Sequence, residues 1–94
     1  MTKELNWHAF SDADIQDFEG YYSKVEGDNG EQIAEYRIGI YRHRGHLYLK
    51  HTEKAADGSF HRYGGEYLIE CARRWTLDWA KGVADKHFRQ HYFK

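Results

Sequence analysis

The sequence predicts an α+β fold: a short N-terminal helix, a four-stranded antiparallel meander sheet and a long C-terminal amphipathic helix packed on one sheet face. Three observations support it. Between Tyr21 and Lys50 apolar and polar residues alternate, the period of a half-buried strand. Asn29-Gly30, Arg44-Gly45 and Asp57-Gly58 punctuate that region, as tight turns between paired strands do. From Glu66 onward apolar residues recur at intervals of three and four, the period of a helix with one buried stripe.

The first ten residues carry Leu5, Trp7 and Phe10 among polar neighbours. Ser11 then reads as an N-cap, with Asp14 near the capping-box position and Phe10 and Ile15 placed as a hydrophobic staple. Asp12 and Asp14 suit the positive end of a helix dipole, so a short helix is expected over 12–18, stopping near Gly20. Strands are expected over 20–27, 32–42, 46–53 and 59–64, and short connections make neighbours antiparallel. A turn at Asn29-Gly30 sets Val25 opposite Ala34 and Tyr21 opposite Ile38. A turn at Arg44-Gly45 sets Ile40 opposite Leu49 and Tyr41 opposite Tyr48. Side chains alternate faces along a strand, which gives a core face of Tyr21, Val25, Ala34, Tyr36, Ile38, Ile40, Leu47 and Leu49. The other face takes Tyr22, Arg37, Gly39, Tyr41, His43, His46, Tyr48 and Lys50, and a third hairpin adds His61 and Tyr63.

The closing helix is expected over 66–92. Leu68, Cys71, Ala72, Trp75, Trp79 and Val83 form its apolar stripe, while Arg74, Asp78, Lys81, Asp85 and Arg89 alternate in sign on the solvated side, as favourable intrahelical pairs do. Phe88 and Tyr92 fall away from the Trp75–Trp79 stripe. Either the N-terminal segment covers them or a second copy of the chain does, which raises a homodimer. The helix–four-strand–helix order is similar in outline to double-stranded-RNA-binding and cystatin-like layouts. It carries the signature residues of neither, and layout alone assigns no function.

A chain of 94 residues suits one domain over 1–94, and a domain of that size buries about two-thirds of the surface its unfolded form exposes. At 40% apolar and 17% aromatic residues, with no proline, the chain is not compositionally disordered. A single cysteine excludes an intramolecular disulfide. Neither a signal-peptide stretch nor an apolar run of the roughly 20 residues that span a bilayer is present, so the expected location is cytoplasmic, with no membrane partner. The net charge of −1 hides a split: residues 1–35 hold nine acids and two bases, and residues 36–94 hold twelve bases and six acids. The halves either neutralise each other on folding or leave a basic face for a polyanion.

Catalytic groupings are missing. His87 and His91 have a spacing that can present two imidazoles to one metal. No Glu follows His87 as in a metalloprotease helix, so no metal and no cofactor is expected. Cys71 on the apolar stripe reads as packed and inert. Ser11 is accounted for as a cap, and Ser23 and Ser59 lie in no nucleophile elbow. Glu66 and Glu70 fit a helix surface, and Gly64-Gly65 lacks the length and the Lys-Ser/Thr of a phosphate loop. The chain is therefore expected not to be an enzyme.

The second sheet face carries the functional expectation. Tyr22, Tyr41, Tyr48 and Tyr63 stand beside Arg37, Lys50, His43 and His46. Tyr-rich surfaces make protein interfaces, because the ring adds area while the hydroxyl stays wet. Rings interleaved with bases also suit single-stranded nucleic acid, and Tyr41 with Tyr48 could simply brace neighbouring strands. The leading expectation is a small non-enzymatic regulatory protein, a modulator or inhibitor, binding a protein partner through this face. The alternatives are a single-stranded nucleic-acid module using Arg37, Tyr41, Tyr48 and Lys50, and a small-ligand or metal-binding domain around His43, His46, His87 and His91.

Overall fold

A computed structural model of the chain describes residues 1–55, 57–58 and 65–93. Its elements are β1 (His8–Phe10), β2 (Phe18–Glu26), β3 (Gln32–Tyr41), β4 (His46–Glu53), β5 (Glu66–Ala72) and α1 (Leu77–Tyr92). The strands pair antiparallel in sequence order, as one five-stranded sheet. Among the described residues, no helix is long and apolar enough to cross a membrane.

The central hairpins follow the alternation. Val25 pairs with Ala34 and Tyr21 with Ile38, as the turn at Asn29-Gly30 requires. Gly30 takes a left-handed φ of 78° there, and its N–H donates to the Gly27 carbonyl at 3.1 Å. The next hairpin differs in register. Residues 42–45 form a wider turn, so Tyr41 pairs with His46, Ile40 with Leu47 and Ile38 with Leu49. The slip from the expected pairing is by an even number of residues. Every side chain therefore keeps its face, where an odd slip would have exchanged the two.

The ends differ more. No helix forms over 12–18: Asp12 caps a single turn through its side chain, accepting from Asp14 N–H at 3.0 Å, and Asp17 takes a left-handed φ of 54°. A helix this short is marginal in water without packing. Pairing Phe10 with Gly20 forces the intervening chain to reverse instead. The N-terminal segment runs along β2, held by Thr2 N–H on the Glu26 carbonyl at 2.9 Å and by Glu26 N–H on Thr2 Oγ1 at 2.8 Å.

The strand expected over 59–64 lies outside the described residues, together with His61 and Tyr63. The first part of the expected C-terminal helix is strand β5. Register shifts between Leu47 and Leu49 and between Leu49 and Lys50 turn Ile69 and Ala72 toward the same core, an interval that imitates helical spacing. Cys71 is exposed on this strand rather than packed.

Helix α1 begins where Thr76 Oγ1 accepts from Trp79 N–H at 3.1 Å, a side-chain N-cap. Ala80, Ala84 and Phe88 are its buried residues, and the two alanines let it lie close against Val25, Ala34, Tyr36, Ile38, Ile40, Leu47 and Leu49. Trp79, expected on the buried stripe, is exposed. Phe88, expected to be covered either by the N-terminal segment or by a second chain, is fully buried, and Leu5 and Trp7 pack against the core that contains it. The later start of the helix moves its inner face onto the Ala80–Ala84–Phe88 row. Of the two residues that raised a homodimer, Phe88 is withdrawn from the surface and Tyr92 is partly buried against the same core.

Candidate functional site

The sheet face opposite α1 holds the expected aromatic and basic residues. Register sets them in rows. One row runs Phe10, Gly20, Gly39 and Tyr48. The next runs His8, Tyr22, Arg37, Lys50 and Tyr67, and on the other side stand Phe18, Tyr41 and His46. The paired glycines are buried although they face away from the core. A Cβ at Gly20 would overlap the Phe10 ring, and one at Gly39 would overlap the Tyr48 ring. Glycine is thus required for two rings to lie flat on the backbone and form the floor of a shallow concavity. Its rim includes Phe18, Tyr41, Arg37, Lys50, Tyr67 and Arg44.

Rings touch across this face. Tyr41 lies 5.9 Å from Tyr48 and 5.1 Å from His46, and Tyr48 meets Tyr67 edge-on at 5.9 Å. Burial, then the neighbouring Tyr41, pushes the Tyr48 phenol up to about 12. The cations rest on rings: Arg37 over Phe10 at 5.1 Å and Lys50 over Tyr67 at 5.5 Å, contacts that hold a charge in place without removing it from water. Arg37 also pairs with Glu35 at 3.4 Å, and Asp12 and Glu70 line the concavity. The surface is therefore mixed in charge with a modest basic excess. Tyr22, Arg37, Tyr41, His46, Tyr48 and Lys50 share it. His43 is exposed in the 42–45 turn, while Tyr63 is outside the described residues.

A second constellation lies on the helix side. His51 is in phase with Leu47 and Leu49 on β4, so it faces the core, 3% exposed. Its Nδ1 lies 3.3 Å from Glu66 Oε1, and its Nε2 lies 2.8 Å from Tyr92 Oη. From α1, His87 places Nε2 3.2 Å from the same Glu66 oxygen and Nδ1 2.7 Å from Tyr36 Oη. His91 stacks on His87 with rings 15° apart and bonds Glu53 Oε1 at 2.6 Å. Burial, then the nearby His87, holds the His51 imidazole below its usual range. Burial, then Glu53 and further carboxylate contacts, pushes the Tyr92 phenol up.

His87 and His91 do come together, but with His51 and Glu66 rather than with His43 and His46. Of the described residues, His51, Glu66 and His87 form the group able to hold a metal ion. Sequence reasoning missed His51 and set Glu66 on a helix surface, although a histidine in phase with the core leucines is a legible signal, because such a residue needs a polar partner inside. Compared with family models, curated proteins and solved structures, the chain gives no significant match.

Proposed function

We propose that this chain is a small non-enzymatic interaction protein, a modulator or inhibitor, that binds a protein partner on the outer sheet face. The supporting observation is the glycine-floored concavity, where Phe10 and Tyr48 lie flat over Gly20 and Gly39 inside a rim of Tyr41, Tyr67, Arg37 and Lys50. Pre-packed rings lose little freedom on binding, and Tyr and Arg dominate interface hot spots. The mixture of Arg37, Arg44 and Lys50 with Asp12 and Glu70 favours a protein over a uniform polyanion. The matching partner surface is an apolar or aromatic anchor flanked by carboxylates.

The test is quantitative capture from the native host with three proteins: the wild-type chain, a Tyr41→Ser/Tyr67→Ser/Arg37→Glu face variant, and an Arg89→Glu control on α1, which packs on the opposite side of the sheet. The expected result is a partner retained by wild type and control and reduced at least tenfold by the face variant. Equal retention by all three would contradict the reading. Labelled single-stranded RNA and DNA are titrated in parallel. Affinity that falls steeply with salt, through counterion release, and that is lost in the face variant would reassign the surface to nucleic acid.

A further inference from the structure

We infer that His51, Glu66 and His87 form a binding site for a divalent transition metal such as Zn²⁺ or Co²⁺, with one coordination position open, on the side of the sheet away from the aromatic face. One ligand atom from each of His51, Glu66 and His87 lies within 4.8 Å of the other two. Glu66 Oε1 is 3.3 Å from His51 Nδ1 and 3.2 Å from His87 Nε2. Tetrahedral Zn²⁺ with bonds of about 2.0–2.1 Å sets its ligand atoms about 3.3 Å apart. An ion placed among these three atoms meets that spacing at both carboxylate edges. Two imidazoles and one carboxylate are a donor set that zinc accepts when a fourth position stays open to water or another ligand.

The orienting contacts are those of a metal site. Each imidazole uses its other nitrogen on a tyrosine: His87 Nδ1 on Tyr36 Oη at 2.7 Å, His51 Nε2 on Tyr92 Oη at 2.8 Å. In the metal-bound form both nitrogens donate N–H to those hydroxyls, which fixes the tautomers with His51 Nδ1 and His87 Nε2 bare. Tyr92 Oη donates onward to Glu53 Oε1 at 3.3 Å. Such outer partners hold ligand rings in orientation and raise their basicity. Backbone geometry supports the third ligand. Gly65 takes φ 101°, and a Cβ there would overlap the His51 carbonyl, so this glycine lets β5 begin tightly against β4 with Glu66 paired to His51. A surface concavity lined by His51, Glu53, Gly65, Glu66 and His91 leaves the fourth position reachable from solvent. His91 bonds Glu53 and belongs to the surroundings, not to the ligand set.

The experiment uses Zn²⁺ and Co²⁺ alone, titrated into chelator-stripped protein. The expected result is one ion per chain, a Co²⁺ absorption spectrum typical of four- or five-fold coordination, and a higher Tm in the loaded form. Glu66→Gln and His87→Gln, both with solvent-reachable side chains, are expected to weaken binding at least tenfold while circular dichroism stays unchanged. Tyr92→Phe is expected to weaken it about 10–100-fold. His43→Ala/His46→Ala is expected to leave it unaltered. Imidazole ¹⁵N shifts of the wild-type chain give the same answer without substitution: Nδ1 of one histidine and Nε2 of another move on Zn²⁺ addition. Absence of stoichiometric binding at micromolar Zn²⁺ would overturn the site. So would affinity indifferent to Glu66→Gln and His87→Gln, or affinity lost with His43 and His46.

Discussion

Tyr48 shows how one residue's surroundings become measurable. Its ring lies over Gly39, and burial with Tyr41 alongside raises its phenol to about 12. The phenols of Tyr36 and Tyr92 are raised as well, chiefly by burial. Against the ordinary value of 10.0, the unfolded chain releases protons in this alkaline window that the folded chain keeps. Stability therefore falls as pH rises from about 10 toward 12. Spectrophotometric titration is expected to show at least three of the eight tyrosines resisting ionisation until the chain unfolds. Gly39→Ala evicts the Tyr48 ring and is expected to return its titration toward the ordinary value, at an overpacking cost of about 1–3 kcal/mol. Ser23 gives the opposite case. Its Oγ is fully buried with no hydrogen-bond partner among the described residues, so Ser23→Ala is expected to leave Tm unchanged or raise it, since deleting an unsatisfied polar atom removes a desolvation penalty.

At the scale of elements, strands β2 to β4 were legible because period-two alternation and turn glycines agree, and because an even register slip leaves faces intact. The N-terminal helix was not legible as absent. Ser11, Asp14, Phe10 and Ile15 form a genuine local signal, overridden when β1 pairs with β2. Strand β5 carries a helical signature because its register shifts bring Ile69 and Ala72 to one side, which no single-sequence period separates from a helical face. Within α1, Gly82 has open space around its missing Cβ. Gly82→Ala is therefore expected to stabilise the chain by about 1 kcal/mol, and Thr76→Ala, which removes the cap, to destabilise it by about the same amount. Paired thermal melts decide both signs.

At the scale of the molecule, the charge split is resolved partly inside the fold. Glu19 of the acidic first third accepts from Arg42 Nε at 2.8 Å. The hydrogen bond from Tyr21, then that from Arg42, holds its carboxyl below 4.5. Because the folded value is depressed, this contribution is present above 4.5 and fades as pH falls through the folded value. Glu19→Gln is expected to flatten the acid limb of a Tm-against-pH curve. The histidine cluster on the far side of the sheet was legible only in part: His51 lies in phase with the core leucines and His87 and His91 share helical spacing, but β4, β5 and α1 each supply one member and only tertiary packing gathers them. The outer face was legible in composition, but its flattened rings over Gly20 and Gly39 emerged only from register.

Hydroxyl-radical footprinting of the chain alone and in complex with its captured partner tests the docking face most directly. Tyr41 and Tyr67 on the outer face are expected to lose reactivity in the complex, while the exposed Trp79 and Phe93 on the helix side keep theirs. Protection of Trp79 and Phe93 with Tyr41 and Tyr67 unchanged would contradict the assignment and place the interface on α1.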